Sequence, residues 1–66
     1  MKWISINDRL PLPGEMVLFF SLIAGMVTGY YSNKDGTNRF YDSDSYSLLK
    51  VTHWMPLPEP PYENTN

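Results

Sequence analysis

The chain contains no cysteine and a single histidine, His53. The first absence excludes disulfide bonds and thiolate zinc sites; the second excludes a metal centre built from several histidines. Basic residues are also few. Lys2, Arg9, Lys34, Arg39 and Lys50 lie scattered among seven carboxylates, for a net charge of −2. A nucleic-acid surface needs clustered cations facing the phosphates, so nucleic acid is not an expected partner. The acid is likewise too sparse to imitate a phosphate ladder. Long hydrophobic runs are missing as well. The most apolar window, Met16 to Val27, is interrupted by Ser21 and Gly25, whereas a membrane-crossing helix needs about 20 apolar residues. Residues Met1 to Arg9 lack the long apolar core of a secretory signal, so a soluble, intracellular protein without a membrane partner is expected.

What is present is apolar and aromatic. The 66 residues are 42% hydrophobic, too apolar for a disordered chain, and their number allows one small domain. That domain is expected over residues 1–61, with a polar tail at 62–66. Cores of this size usually need reinforcement from a cross-link, a metal or a second subunit. Here two sources remain: homo-oligomerisation, and an aromatic content of 15% made of Trp3, Trp54, five tyrosines and three phenylalanines.

The order of residue types predicts strands. Residues 2–6 are β-prone, and Pro11-Leu12-Pro13-Gly14 is a rigid loop, because each proline restricts the residue before it. Glu15 to Ile23 is a continuous apolar run rich in β-branched and aromatic residues, predicted as a strand covered on both faces, with a turn at Ala24-Gly25. Met26 to Ser32 follows as a strand in which Gly29 marks a bulge. Asn33-Lys34-Asp35-Gly36 carries the Asp-Gly signature of a hairpin turn, after which Arg39-Phe40-Tyr41 pairs back on Tyr30-Tyr31. Asp42-Ser43-Asp44-Ser45 ends that strand, and Tyr46 to Lys50 is ambiguous between a helical turn and an edge. Val51 to Met55 is the last strand, followed by a polyproline-like segment, Pro56 to Pro61, that can lie across an open sheet edge. The fold class is therefore all-β or mainly β: a three- to five-stranded antiparallel sheet, flat or curled, with little helix. Trp3 and Trp54 are assigned to the core, where pairing of the first and last strands would bring the indoles together.

Few side chains offer chemistry. Asp42-Ser43-Asp44-Ser45 opens like a calcium loop, but the sixth and twelfth positions hold Ser47 and His53 where an EF-hand needs Gly and Glu. His53 alone titrates near neutrality, yet no serine sits in a nucleophile-elbow motif to work with it. The four glycines are spaced singly, without a phosphate-loop pattern. No catalytic residue, cofactor or metal is expected. The residues best suited to binding are Tyr30, Tyr31, Arg39, Tyr41 and Tyr46, since tyrosine and arginine give large contact area at low entropic cost. Tyr30 and Tyr31, as neighbours in a strand, must face opposite sides, so one at most joins a core.

The two ends of the chain carry longer signatures. Trp3-Ile4-Ser5-Ile6-Asn7-Asp8-Arg9-Leu10-Pro11 resembles a W-I-x-V-x-D-R-L-P opening, with Ile6 a conservative departure from valine. Val51-Thr52-His53-Trp54-Met55-Pro56-Leu57-Pro58-Glu59-Pro60-Pro61 resembles a V-T-H-W-M-P-L-P-x-P-P ending, and Gly14 to Leu18 resembles a G-x-x-V-L step. Together they resemble the small phage and prophage proteins of domain-of-unknown-function family 551. The resemblance implies a phage or prophage gene and a product acting in the host bacterial cytoplasm, and it implies no reaction. Arg9, His53 and Trp54 match the motif positions and join the candidate binding residues on that ground.

Three functions follow as expectations. The first is a non-enzymatic phage accessory protein that binds and inhibits a host factor, part of an antiviral defence system. The second is an oligomeric sponge that sequesters a nucleotide-like defence signal, with Tyr and Trp stacking on the base and Arg9, Arg39 or Lys50 meeting phosphate. The third is an enzyme using His53 as acid or base, the least favoured of the three.

Overall fold

The computed structural model describes residues 2–59, which form five strands and, among the described residues, no helix. They are β1 (Ile4–Ser5), β2 (Val17–Ser21), β3 (Gly25–Ser32), β4 (Arg39–Asp42) and β5 (Val51–Pro56). All pair antiparallel in one open, uncurled sheet of order β1-β5-β2-β3-β4. The all-β expectation holds, and the last strand lies between the first and second. Local hairpins account for β2-β3-β4. The insertion of β5 beside β2 joins residues more than thirty positions apart, as in Phe19 opposite Trp54.

Paired residues share a face and neighbours along a strand alternate, so the register divides the sheet into two surfaces. On one surface Ile4, Trp54, Phe19 and Val27 form a row across four strands. Val17, Tyr31 and Phe40 extend it, and Leu48, Val51, Ile6 and Leu10 pack against it to complete the core. Phe19 meets Phe40 edge to face, with ring centroids 5.3 Å apart. Trp54 donates its indole N–H to the Arg9 carbonyl over 2.8 Å, and the Arg9 guanidinium lies 5.4 Å from the Trp54 ring centroid. These contacts fasten the loop after β1 over the core.

Several expectations change. The strand read over Glu15 to Ile23 is shorter, and only its Val17-Phe19-Ser21 side is fully buried. Its turn is Leu22 to Ala24, with Gly25 opening β3 at φ +78°. Gly29 is no bulge. It pairs regularly with Val17 on one side and Asp42 on the other, at a place where the β4 backbone comes close. The irregularity falls in β5, where Phe20 opposes His53 but Ser21 opposes Val51, leaving Thr52 as the additional residue. The Thr52 carbonyl instead accepts the Ile6 N–H over 3.1 Å, so the extra residue serves the neighbouring edge.

The β3–β4 pairing is as expected, with Tyr30 opposite Tyr41 and Tyr31 opposite Phe40. The connection, however, is six residues long. Only Gly36 has the positive φ foreseen for the Asp-Gly pair, and the Asn33 carbonyl accepts its N–H over 3.0 Å. Residues Tyr46 to Lys50 contain no helix; of the two readings the edge holds in short form, since Ser47 bridges Tyr41 antiparallel and the Phe40 carbonyl accepts the Leu48 N–H over 2.8 Å, with Leu48 buried. The indoles do not meet: Trp3 points to the face opposite Trp54, half exposed, and packs edge to face on Phe20 at 6.1 Å. Pro60 and Pro61 lie outside the described residues, and with them the expectation that the proline segment covers an edge.

Candidate functional site

The binding residues read from sequence are distributed over both faces. Tyr31 and Trp54 belong to the buried core, which removes them from any contact surface. Tyr31 is fixed further by donating its hydroxyl to Asn38 Oδ1 over 2.6 Å. Tyr30 and Tyr41 stack on the opposite face at 5.3 Å, with the Tyr30 hydroxyl 2.8 Å from Ser45 Oγ. Arg39 lies at the start of β4 and pairs with Asp35 over 3.1 Å. The Asp35 carboxyl is held below its ordinary value, first by the Thr37 N–H and then by Arg39. Tyr46 is the most exposed tyrosine among the described residues, in the loop beyond β4. His53 shares a hollow of about 230 Å³ with Trp3 and Phe20, and its Nδ1 is 2.8 Å from Thr52 Oγ1. Arg9 is engaged with Trp54 on the core side. The structure thus brings Tyr30 and Tyr41 together and separates them from Arg9, Tyr31 and Trp54.

A better-built feature lies at the β2–β3 turn. Turns are ordinarily polar, because their backbone groups and side chains meet water. This one is Leu22-Ile23-Ala24, and Leu22 and Ile23 are both 69% exposed. Beside it Leu49 is 64% exposed. The polar work is done from beneath by Ser21, which is buried to 1% exposure. Its Oγ accepts the Ile23 and Ala24 N–H groups at 3.1 and 3.0 Å and donates to the Leu49 carbonyl at 2.7 Å. A second brace runs from the Leu22 N–H to the Lys50 carbonyl over 2.9 Å. Lys50 adopts a left-handed φ of 60°, a costly conformation for a residue with a side chain.

Three exposed apolar residues are thereby carried on one hydrogen-bonded backbone frame. Sequence reasoning missed them because Leu22 and Ile23 continue an apolar run and Leu49 is distant in the chain. The available signal was Ser21, the one polar residue between Met16 and Ala24. Replacing Ser21 with alanine removes a buried hydroxyl from three part-buried partnerships. The expected cost is about 2–3 kcal/mol, given roughly 1–3 kcal/mol for leaving buried polar groups unsatisfied. Urea denaturation measures it, and a cost under about 0.5 kcal/mol would show that water replaces the hydroxyl without loss.

Two of the five basic residues, Arg39 and Lys50, line a groove of about 320 Å³ with Asn38, Phe40, Ser47 and Leu48. The ring in it is Phe40; the Tyr30–Tyr41 stack faces the other side of the sheet. Among the described residues no group of three or more His, Asp or Glu is gathered to hold a metal, and no helix is long and apolar enough to cross a membrane.

Comparison with known proteins agrees with the signatures at the two ends. The family model described as "Protein of unknown function (DUF551)" matches residues 2–62. An uncharacterized 7.8 kDa protein from the ral-gp17 intergenic region of Salmonella phage P22 is 36% identical over 67 aligned residues. That alignment covers 96% of this chain and all of the phage protein. No solved structure matches the chain. With the family match running almost end to end and a phage relative aligned over its full length, the chain belongs to the DUF551 family and is a small phage-encoded protein.

Proposed function

We propose that this protein is a non-enzymatic phage accessory module that binds a host bacterial protein, through the β2–β3 tip, and inhibits it by occupying its surface. The supporting observation is the braced apolar tip. Exposed leucine and isoleucine on a turn cost solubility, and here a buried serine and a left-handed lysine hold them in place. Preorganised apolar anchors bind tightly because little entropy remains to be lost on contact. A host protein with an apolar pocket is the partner this geometry fits, and a defence factor is the class of host protein a phage gains most by blocking. The nucleotide-sequestering alternative asks for stacking rings beside cations. Among the described residues of one chain the Arg39–Lys50 groove offers only Phe40 for that role, which favours protein binding.

The test is capture from host cells with the tagged protein, followed by affinity measurement on the partner recovered. Ile23→Asp and Leu49→Asp place charge in the anchor without touching the core, and each is expected to weaken binding at least tenfold, about 1.4 kcal/mol or more. Lys34→Ala, in the connection at the far end of β3, is expected to leave affinity unchanged. Equal binding by all three variants would remove the tip from the interface.

A further inference from the structure

The face opposite the core is more apolar than an exposed sheet surface should be. An antiparallel sheet with one wet side reads polar on that side. Here the register places Leu18 and Phe20 of β2, Met26 and Tyr30 of β3, Tyr41 of β4 and Met55 of β5 on it, with Trp3 preceding β1. His53, Ser5, Thr28 and Ser32 are its other polar members. The one charged strand residue in that alternation is Arg39, at the far corner, where Asp35 neutralises it. Met55 is already buried, but Met26 is 67% exposed, Trp3 is 39% exposed, and Leu18, Phe20, Tyr30 and Tyr41 are only half-buried. The β2 sequence is written for burial on both sides, and the described residues fully bury only its Val17-Phe19-Ser21 side.

We propose that a second copy of this chain covers the face, forming a two-layer homodimer by sheet-on-sheet packing about a two-fold axis. An isologous contact asks only that a surface match itself, and a face whose one charged strand residue is already paired largely meets that condition. The same lack of charge gives a foreign partner nothing to steer or select by. Methionine and aromatic side chains then interdigitate between layers about 10 Å apart. Five strands spaced about 4.8 Å apart, with a central strand of five residues, give a footprint on the order of 400 Å². That is about half the usual area per partner, so the dimer is a weak one, with micromolar rather than nanomolar affinity. The second layer also supplies the reinforcement that a chain of this size without a cross-link needs.

Sedimentation equilibrium across dilution reads this directly. The expected result is a mass approaching twice the 7.7 kDa of the chain at millimolar concentration, falling to the single-chain mass at low micromolar concentration. Met26→Asp, at a position already in water in the monomer, is expected to weaken the dimer at least tenfold while leaving the Trp54 near-UV signal intact. Phe20→Asp should act in the same direction if it folds, and Met26→Asp decides alone if it does not. Ile23→Asp, which tests the host-binding tip, is expected to leave the dimer unaffected. A chain that stays monomeric at millimolar concentration would overturn the proposal, even if it still captured a host protein. So would a dimer indifferent to Met26→Asp, since the interface would then lie elsewhere.

Discussion

Substituting alanine for Gly29 is expected to lower the melting temperature by roughly 12–24 °C, corresponding to about 3 kcal/mol in a domain of this size. Gly29 is buried between two strands, opposite Val17 and opposite Asp42. A methyl group built there would sit inside the contact radius of the Tyr41 carbonyl oxygen and 3.0 Å from the Asp42 Cα. Both are backbone atoms, so no side-chain rotation relieves the clash, and β4 has to move. Its displacement disturbs the Tyr30–Tyr41 stack and the Tyr31–Phe40 contact together. Overpacking a rigid core typically costs about 1–3 kcal/mol, and backbone atoms put this case at the upper end. Gly36→Ala provides the contrast. Nothing lies within 4 Å of its added methyl, and only its φ of +82° opposes the change, for an expected cost of about 1 kcal/mol. Thermal melts of the two variants side by side check the argument. Equal losses would mean that Gly29 matters for conformation and not for the approach of β4.

The contrast between these two glycines shows what the sequence could and could not reveal. Gly36 was legible because its role is local: it follows Asp35 in a turn that joins two strands directly. Gly29 was legible only as an oddity within a strand. The crowding that requires it comes from Tyr41, twelve residues away, and follows from a register that no local pattern states. The same holds for the tip. The strand around Phe19 could be read from its β-branched and aromatic neighbours, yet where it stopped could not, since Leu22 and Ile23 are as apolar as the core. Leu49 joins them only because β5 inserts beside β2, a pairing of distant segments. His53 and Trp54 were visible as neighbours in a strand, and the alternation puts them on opposite faces. Trp3 was misplaced because its partner row follows from that same insertion of β5. Local chemistry was readable throughout; the assembly of distant strands was not.

Phe19→Ala is expected to unfold a large fraction of the protein, and Phe20→Ala is not, although the two rings are adjacent in sequence. Phe19 has no exposed surface, lies in the central strand between Val27 and Trp54, and meets Phe40 edge to face. Removing a ring from such a site costs about 3–5 kcal/mol through lost burial and the cavity left behind. At roughly 0.05–0.15 kcal/mol per residue, a chain of 66 residues has only about 3–10 kcal/mol in total. Phe20 faces the other way, half-buried and edge to face on the half-exposed Trp3, and its truncation in the monomer is expected to cost about 2 kcal/mol, about 1 for the aromatic pair and about 1 for the apolar area of a half-buried ring. The difference between neighbours measures how one-sided the core is. It also carries a concentration signature, because a subunit that covers the Phe20 face stabilises the folded state by mass action. Below the dimer's dissociation constant the two substitutions should differ by at least about 1 kcal/mol, the least difference between a fully and a half-buried ring at these costs. Above it the Phe20→Ala penalty should grow with protein concentration as the lost interface comes to matter. Denaturation of both variants at micromolar and near-millimolar concentration separates these contributions. Equal penalties at the lowest concentration would mean that a single chain already buries both sides of β2, and the open face described above would not exist in solution.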